Sequence, residues 1–231
     1  MTTDSTNSAM PEIRRAADRF HTSGEGTDTW HSFSFGRHYD PENIGFGPIV
    51  AINEEQLAPG AGYDEHQHSD AEIVTWVLEG TLAHEDSTGN GGQIRPGTAQ
   101  RLSAGTGVTH AERNASASEP LTFVQMMLRS TNEADPQYDL RQIPVGAGLH
   151  ETVEMHSPAR LQVARPTTAK PLEVEVVSGA LIHVTAGEIY CAGERLGKGD
   201  EIRISAAGAV QIVGTEPAEA LVWLVELSRR G

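Results

Sequence analysis

The sequence predicts an all-β fold. Short apolar runs such as "IVTWVL" and "FVQMML" are rich in β-branched and aromatic residues and are bounded by Gly, Pro, Asn or Ser, as strands commonly are. The chain has 24 glycines and 12 prolines, which favour many turns. No segment keeps a helical apolar period for more than two turns, so long amphipathic helices are not expected.

An internal repeat indicates two similar β domains. "EGTLAHED" (79–86) aligns with "SGALIHVT" (178–185), which places His84 over His183 at an offset of 99 residues. "RPGTAQRLSAG" resembles "GKGDEIRISAAG", which places Gly97 over Gly199 at an offset of 102. The two offsets differ by no more than a loop can vary. Because His84 and His183 occur in both copies, we interpret them as scaffold rather than chemistry.

The repeat divides the chain into three predicted segments. Residues 1–12 are expected to form a disordered tail, residues 13–140 the first domain and residues 141–231 the second. The proline-containing stretch 134–160 would carry the chain from one domain to the other.

Composition narrows the classes of function. The formal net charge of −15 repels phosphate backbones and anionic membranes, so neither nucleic acid nor a membrane is expected as a partner. The single cysteine, Cys191, excludes an internal disulfide framework, fits a reducing cytosol and is expected to be buried rather than reactive. No signal-peptide pattern and no apolar run of ~18 residues occur. The sequence predicts a cytoplasmic globular protein.

Two short stretches suggest a metal site. In "GYDEHQHSD", His66 and His68 are two residues apart, so on a strand both imidazoles would face one side. Downstream, "GTGVTHAERN" offers His110 and, on the same face, Glu112. Three imidazoles and one carboxylate, with coordination positions left open, suit Fe(II), Ni(II), Mn(II), Cu(II) or Zn(II) in a catalytic site. Spacing alone leaves a solvated histidine pair as the alternative.

The metal site is expected in the first domain alone. Shifting the histidine pair by 99 residues reaches "ARPTTAK", which contains no histidine, and the shifted counterpart of His110 falls near Ile212.

Elsewhere, Trp30, Phe33 and Phe35 alternate in "TWHSFSFG". We expect them to fill a barrel or the seam between the domains rather than to form a substrate platform.

Both stretches resemble the two sequence motifs of cupins. Gly60, five residues, H-x-H, three residues and Glu72 match the first motif, although its closing glycine falls one place late, at Gly80. Residues 107–114 match the second motif, with Gly105 where cupins commonly have proline.

A narrower resemblance is to the pirin family, and in particular to its bacterial quercetinase-like branch. It is carried by "RRAADRFHTSGEGTDTWHSFSFGRHYDPENIGFGPIVAIN", "HQHSDAEIVTWVLEGTLAHEDSTGN" and "RPGTAQRLSAGTGVTHAER", and it covers residues 12–142. The resemblance implies a bicupin, with two tandem β-barrel (double-stranded β-helix) domains. It also implies that the amino-terminal barrel alone carries the metal.

The resemblance further implies a ligand set. Cupins in general use the glutamate of the first motif, here Glu72, whereas pirins use the glutamate two residues past the third histidine, here Glu112. Strand parity permits either, since Glu72 would share a face with His66 and His68. We expect the set His66, His68, His110 and Glu112, with Glu72 as a structural or supporting carboxylate. The cofactor would be one divalent transition metal per chain, iron first, with nickel, manganese, copper or zinc as alternatives.

The activity that the resemblance implies is that of a quercetin 2,3-dioxygenase-like oxidoreductase. Such an enzyme uses O₂ to open the ring of a flavonol or similar small phenolic, and Glu112 would act as the general base. Eukaryotic pirins supply the alternative of a metal-bearing regulatory protein that acts through a protein partner. A third possibility is an unrelated small metabolite, because fold does not fix substrate. Asp64, Glu65 and Asp70 are expected to crowd the site with negative charge and to disfavour an anionic substrate.

Overall fold

The structure is a computed structural model that describes residues 10–131, 133–215 and 217–227 of the 231. Within these ranges the regular elements are twenty-one β-strands and one turn of 3-10 helix, Ala16–Asp18, which confirms the predicted all-β fold. None of the described helices is long and apolar enough to cross a membrane. Most of the predicted disordered tail, residues 1–9, lies outside the described residues, and Glu12 already belongs to a strand.

The strands of the first half are β1 (Glu12–Arg14), β2 (Phe20–Gly24), β3 (Thr27–His31), β4 (Ile49–Leu57), β5 (Gly62–His68), β6 (Ala71–Glu79), β7 (Leu82–Asp86), β8 (Gly91–Ile94), β9 (Thr98–Ser103), β10 (Val108–Asn114), β11 (Leu121–Arg129) and β12 (Gln137–Gln142). Those of the second half are β13 (Gly148–Glu151), β14 (Ala159–Arg165), β15 (Leu172–Val176), β16 (Gly179–Ala186), β17 (Glu188–Cys191), β18 (Glu194–Gly197), β19 (Glu201–Ile204), β20 (Gly208–Gly214) and β21 (Glu219–Val225).

These strands build two barrels, each from one large and one small antiparallel sheet. In the first barrel, the large sheet has the order β12-β9-β6-β11-β4-β3-β2 and the small sheet the order β5-β10-β7-β8. In the second barrel, the corresponding orders are β1-β19-β16-β21-β14-β13 and β15-β20-β17-β18. The repeated order of the shared strands confirms that the chain contains two similar β domains.

The two barrels pack together through the outer faces of their large sheets. Met126 of β11 and Trp223 of β21 are fully buried in one continuous apolar cluster, and the Trp223 indole nitrogen lies 3.2 Å from the Met126 sulfur. Phe33 is buried in the same seam, as predicted, and the Arg203 guanidinium lies 4.1 Å from its ring centroid. Burial of this much apolar surface holds the barrels in a fixed relation.

Strand order revises the predicted repeat alignment. Gly80 and Gly187 both have a positive φ (84° and 65°), and a Cβ at either would lie 2.6 Å from a proline carbonyl oxygen, of Pro120 and Pro217 respectively. They are therefore equivalent glycines, at an offset of 107 rather than 99 residues. The predicted equivalence of Gly97 and Gly199, with φ of 87° and 83°, holds.

Because of this shift, the interpretation of His84 and His183 as a repeated pair is wrong. His84 lies on β7, whose counterpart is β17, and the residue in its place is Cys191. His183 lies on β16, where its Nδ1 is 3.2 Å from a Glu201 carboxylate oxygen in the seam. The two histidines thus belong to different sheets.

The domain boundaries that the sequence predicts, at residues 12/13 and 140/141, stay predictions, and strand pairing adds two details. Strand β1 pairs with β19, so the first of the described strands belongs to the second barrel's sheet. Strand β12 pairs with β9 of the first barrel as far as Gln142, and the second barrel resumes at Gly148.

Candidate metal centre

Three of the predicted ligands meet where β5 and β10 pair. His110 is directly opposite His66, and Val108 is opposite His68, so all three imidazoles lie on the inner face of the small sheet. The ring centroids of His66 and His110 are 4.4 Å apart, and those of His68 and His110 are 5.1 Å apart. One nitrogen from each ring falls within 4.8 Å of the other two. A single cation can reach all three.

A β-bulge in β5 shapes the neighbouring wall. The register shifts between His110 and Glu112, so that Glu112 is opposite Tyr63 and β5 contains one extra residue. Tyr63 therefore faces inward, while the side chains of Asp64 and Glu65 turn to solvent. Asp64 forms an ion pair with Arg113. The expected crowding of negative charge is lighter than the sequence suggests.

Glu72 lies away from the histidines. The turn after β5 places Asp70 at a φ of 53°, which interrupts strand alternation, so the expectation that Glu72 shares a face with His68 is wrong. The fully buried Glu72 carboxylate instead accepts hydrogen bonds from the backbone N–H groups of His156 (2.8 Å) and Ser157 (2.6 Å). Its role is structural, since it fixes the segment that leads into the second barrel.

Glu112 lies beside the three histidines, on the same inner face. Gln125 Nε2 donates a hydrogen bond of 2.7 Å to one carboxylate oxygen, Oε2. The other oxygen, Oε1, is buried and has no hydrogen-bond partner among the described residues. Burial raises the pKa of Glu112 to about 7; the Gln125 hydrogen bond opposes this, and the charge of Glu55 adds to it. Glu112 forms a second close group with His84 and His110 rather than with all three predicted histidines.

His110 tests whether these residues fit a metal ion. Its side chain is 1% exposed, and neither ring nitrogen has a hydrogen-bond partner in the described part of the chain. Leaving buried polar atoms unpaired costs about 1–3 kcal/mol each. Burial first, then the charges of His66 and His68, lower the pKa of His110 to about 3, so the ring is neutral, the form that binds metal. The donor set fits a divalent transition metal.

His84 is the site residue that sequence reasoning missed. It is opposite Glu112 on β7, is 1% exposed and stacks on Tyr138 with ring centroids 5.2 Å apart. Neither of its ring nitrogens has a hydrogen-bond partner among the described residues, and the nearest carboxylate, of Asp86, is 3.7 Å away. An inward-facing histidine on the strand next to His110 is the signal that could have found it.

A cavity of about 710 Å³ opens in front of the centre, between the small sheet and strands β2 to β4. This volume lies within the range of small-molecule sites. Phe35 and Met127 supply apolar lining, and Asn53, Glu55 and Tyr63 supply polar lining. Phe35 is 39% exposed at the cavity mouth, so it fills neither a barrel nor the seam, contrary to expectation.

Comparison with known families supports the motif analysis. The family model described as Pirin matches residues 13–128. Quercetin 2,3-dioxygenase of Escherichia coli K12 is 31% identical over 230 residues, with coverage of 93% of this chain and 98% of that protein. A Mycobacterium tuberculosis protein provisionally named quercetin 2,3-dioxygenase is 40% identical over 231 residues, covering 93% of this chain and 95% of its own length.

A solved structure has the same two-barrel architecture. The bacterial pirin YhhW from Escherichia coli, in complex with nickel(II), has a TM-score of 0.89 and 30% sequence identity. The match covers 94% of this chain and 100% of that one. The bicupin fold is thereby confirmed, and this chain belongs to the pirin family.

Proposed function

We propose that this pirin is a metal-dependent dioxygenase that uses O₂ to open the ring of a flavonol or similar small phenolic. The observation that carries the proposal is the group His66, His68 and His110, of which His66 and His68 line a cavity of about 710 Å³. The Escherichia coli relative named quercetin 2,3-dioxygenase and the nickel complex of YhhW support the same reading.

The proposed ligands are the three histidines and Glu112. Bound there, a divalent transition metal would act as a Lewis acid toward a phenolic hydroxyl group and would supply the redox chemistry that O₂ requires. Iron remains our first expectation. The nickel complex of YhhW makes nickel the first alternative to test.

Glu112 is the proposed catalytic base. Gln125 holds one of its carboxylate oxygens at 2.7 Å, which fixes the plane of the group, and the other oxygen has no partner among the described residues. That oxygen would take the proton of the flavonol 3-hydroxyl group. Phe35 and Met127 would shelter the ring from water at the cavity mouth.

The overall reaction balances without any further reductant. One O₂ is consumed per flavonol, the C2–C3 and C3–C4 bonds break, and C3 leaves as carbon monoxide. C2 and C4 each gain one oxygen atom and become the ester and acid carbons of the product. The proton held by Glu112 returns to the new carboxylate. The organic ring is oxidised, and O₂ is reduced.

The test is a metal-by-substrate matrix. Protein stripped with a chelator and reloaded separately with iron, nickel, manganese, copper or zinc would be assayed for O₂ uptake and carbon monoxide release with a flavonol panel. We expect the two gases in equal amounts with at least one ion. Bound metal without flavonol consumption under every loading would refute the proposal. A specific partner in a pull-down experiment would then support the regulatory alternative.

A further inference from the structure

We infer that Glu55 is a recognition site for substrate hydroxyl groups, so that the cavity selects neutral phenols with free hydroxyls over their methyl ethers and over carboxylated analogues. The inference rests on the proposed function, because it concerns the substrate of the same cavity. Glu55 lies on β4, on the wall that faces the histidine group, and it belongs to neither group of close metal-binding side chains.

The Glu55 carboxylate is held in place on the cavity wall by hydrogen bonds to one of its two oxygens. Glu55 is 4% exposed and lines the cavity. One oxygen, Oε2, accepts hydrogen bonds from the hydroxyl groups of Thr29 (2.5 Å) and Tyr63 (2.6 Å). No described residue donates to the second oxygen, Oε1, which leaves it available to a ligand. A carboxylate fixed by two donors is a preorganised acceptor.

The side chains around Glu55 leave few free hydrogen-bond donors on this part of the cavity wall. Several donors that line it are already used inside the protein. Tyr63 donates to Glu55, Gln125 donates to Glu112, and His31 Nδ1 donates to the side-chain oxygen of Asn53 at 2.9 Å. Beside Glu55, the hydrogen-bonding capacity left over is that of its second carboxylate oxygen, an acceptor, so a ligand must bring a hydroxyl proton to match it.

The charge around Glu55 also favours a neutral ligand. Among the described residues, the carboxylates of Glu55 and Glu112 line the cavity together with one guanidinium, that of Arg37. Asp64 borders the cavity, but its side chain turns to solvent and pairs with Arg113, whereas Glu55 has no cationic partner in the described part of the chain. An anionic group placed beside Glu55 would be repelled, whereas a phenolic O–H would form a charge-assisted hydrogen bond.

Glu54 provides a matched control. It is the next residue of β4 and points to the opposite face, where its carboxylate forms ion pairs with Arg19 (3.1 Å) and Lys198 (3.2 Å). Glu54→Gln makes the same chemical change as Glu55→Gln on the same strand, but away from the cavity.

The experiment measures equilibrium binding to metal-loaded protein without O₂, by tryptophan fluorescence. The ligands are quercetin and its ethers methylated at one ring hydroxyl at a time, always with the 3-hydroxyl group free. Wild type should bind quercetin about tenfold or more tightly than at least one ether. Glu55→Gln should remove most of that preference by weakening the phenol, and Glu54→Gln should leave it unchanged.

The outcomes separate this inference from the proposed function. Equal binding of phenol and every ether by wild type would overturn the inference, as would an unchanged preference in Glu55→Gln or no binding of any phenol. The ether series is measured on wild type, so the test survives if Glu55→Gln does not fold. Selective binding without turnover on admission of O₂ would refute the dioxygenase proposal and leave the inference standing.

Discussion

The two barrels share one strand order, but the small sheet of the first barrel directs polar side chains inward where that of the second directs apolar ones. In the first barrel, pairing places one row of inward residues across β7, β10 and β5, and the corresponding row of the second barrel crosses β17, β20 and β15. The row in the first barrel is polar and consists of His84, Glu112 and Tyr63. The row in the second barrel is apolar and consists of the corresponding residues Cys191, Ile212 and Leu172.

The next row shows the same contrast. His66 and His110 pair in the first barrel, whereas Val174 and Val210 pair in the second. Because the same topology forms around aliphatic side chains, the fold does not need the polar ones. Burying unpaired imidazoles and a carboxylate is unfavourable, so their presence in one barrel only indicates a ligand that compensates them.

The largest expected effect is on metal binding when His110 is replaced. His110→Ala removes the imidazole shared by both close groups of candidate ligands, so we expect metal affinity to fall more than about 100-fold and turnover to fall to background. Elemental analysis after gel filtration measures the first, and O₂ uptake the second. His150→Ala, a histidine change on β13 of the second barrel, is the control. If His110→Ala retained both metal and turnover, the proposed position of the metal centre would be wrong.

The second prediction introduces a charge into the apolar interior. Val174→Asp places a carboxylate in the fully apolar cluster of the second barrel, and we expect a loss of about 3–5 kcal/mol in the free energy of unfolding. His66→Asp, at the corresponding place in the first barrel, should lose about 1 kcal/mol or less in metal-free protein, since that position opens on the cavity. Urea unfolding measures both. Similar losses of unfolding free energy in the two variants would mean that these two positions do not differ in polarity between the barrels.

The third prediction concerns the pH dependence of metal-free protein. Burial raises the pKa of Glu112 from 4.5 to about 7, so between these values the folded state keeps a proton that the unfolded state releases. The stability that this group contributes is fully present below pH 4.5 and is lost as the pH rises through 7. Glu112→Gln carries no charge, so it should match wild type at about pH 4 and exceed it by about 3 kcal/mol at about pH 8.

Urea unfolding of chelator-treated protein across that range checks this prediction. Because both proteins retain His110, its titration cancels in the difference between them. A difference that does not change with pH would show that Glu112 is not the group responsible.

The smallest expected effect is at His84. His84→Leu makes this position apolar, like Cys191 in the second barrel, and removes two buried nitrogens that have no hydrogen-bond partner among the described residues. Metal-free protein should gain about 1 kcal/mol in the free energy of unfolding. Thermal unfolding with and without added metal measures this gain. A loss of comparable size would instead mean that His84 is held by a bound water or ion.

Local sequence patterns predicted the part of the site that depends on local geometry. The two-residue spacing of His66 and His68 sets their shared face whatever the rest of the chain does, and the same holds for His110 and Glu112. Strand composition was likewise sufficient for the all-β class, and the duplicated motifs for two barrels. The family resemblance added which strands meet, which spacing could not supply.

Features that depend on partner strands could not be predicted. The bulge that turns Tyr63 inward exists only in the pairing of β5 with β10, and the parity argument for Glu72 failed at a single turn residue, Asp70. The eight-residue error in one repeat offset hid His84, because a histidine match between β7 and β16 looked like conserved scaffold. Glu55 gave no signal, since an acidic pair in a strand does not reveal which member faces inward.

The pairing of β1 with β19 has a consequence for how the protein is made. Ile13 leaves the ribosome long before its partner Ile202, and at roughly 5–20 residues per second the interval is roughly 10–40 s. Throughout it, the 12–14 segment has no strand to join, while the first barrel can already assemble from strands that are complete. The backbone amide of Ala16 donates a hydrogen bond of 2.8 Å to Asp200, and this bond cannot form until Asp200 has been synthesised, after a similar interval. Strand β1 thus precedes the first barrel in synthesis but is incorporated only with the second, so closure of the second barrel joins two segments that lie on either side of the first barrel in the sequence.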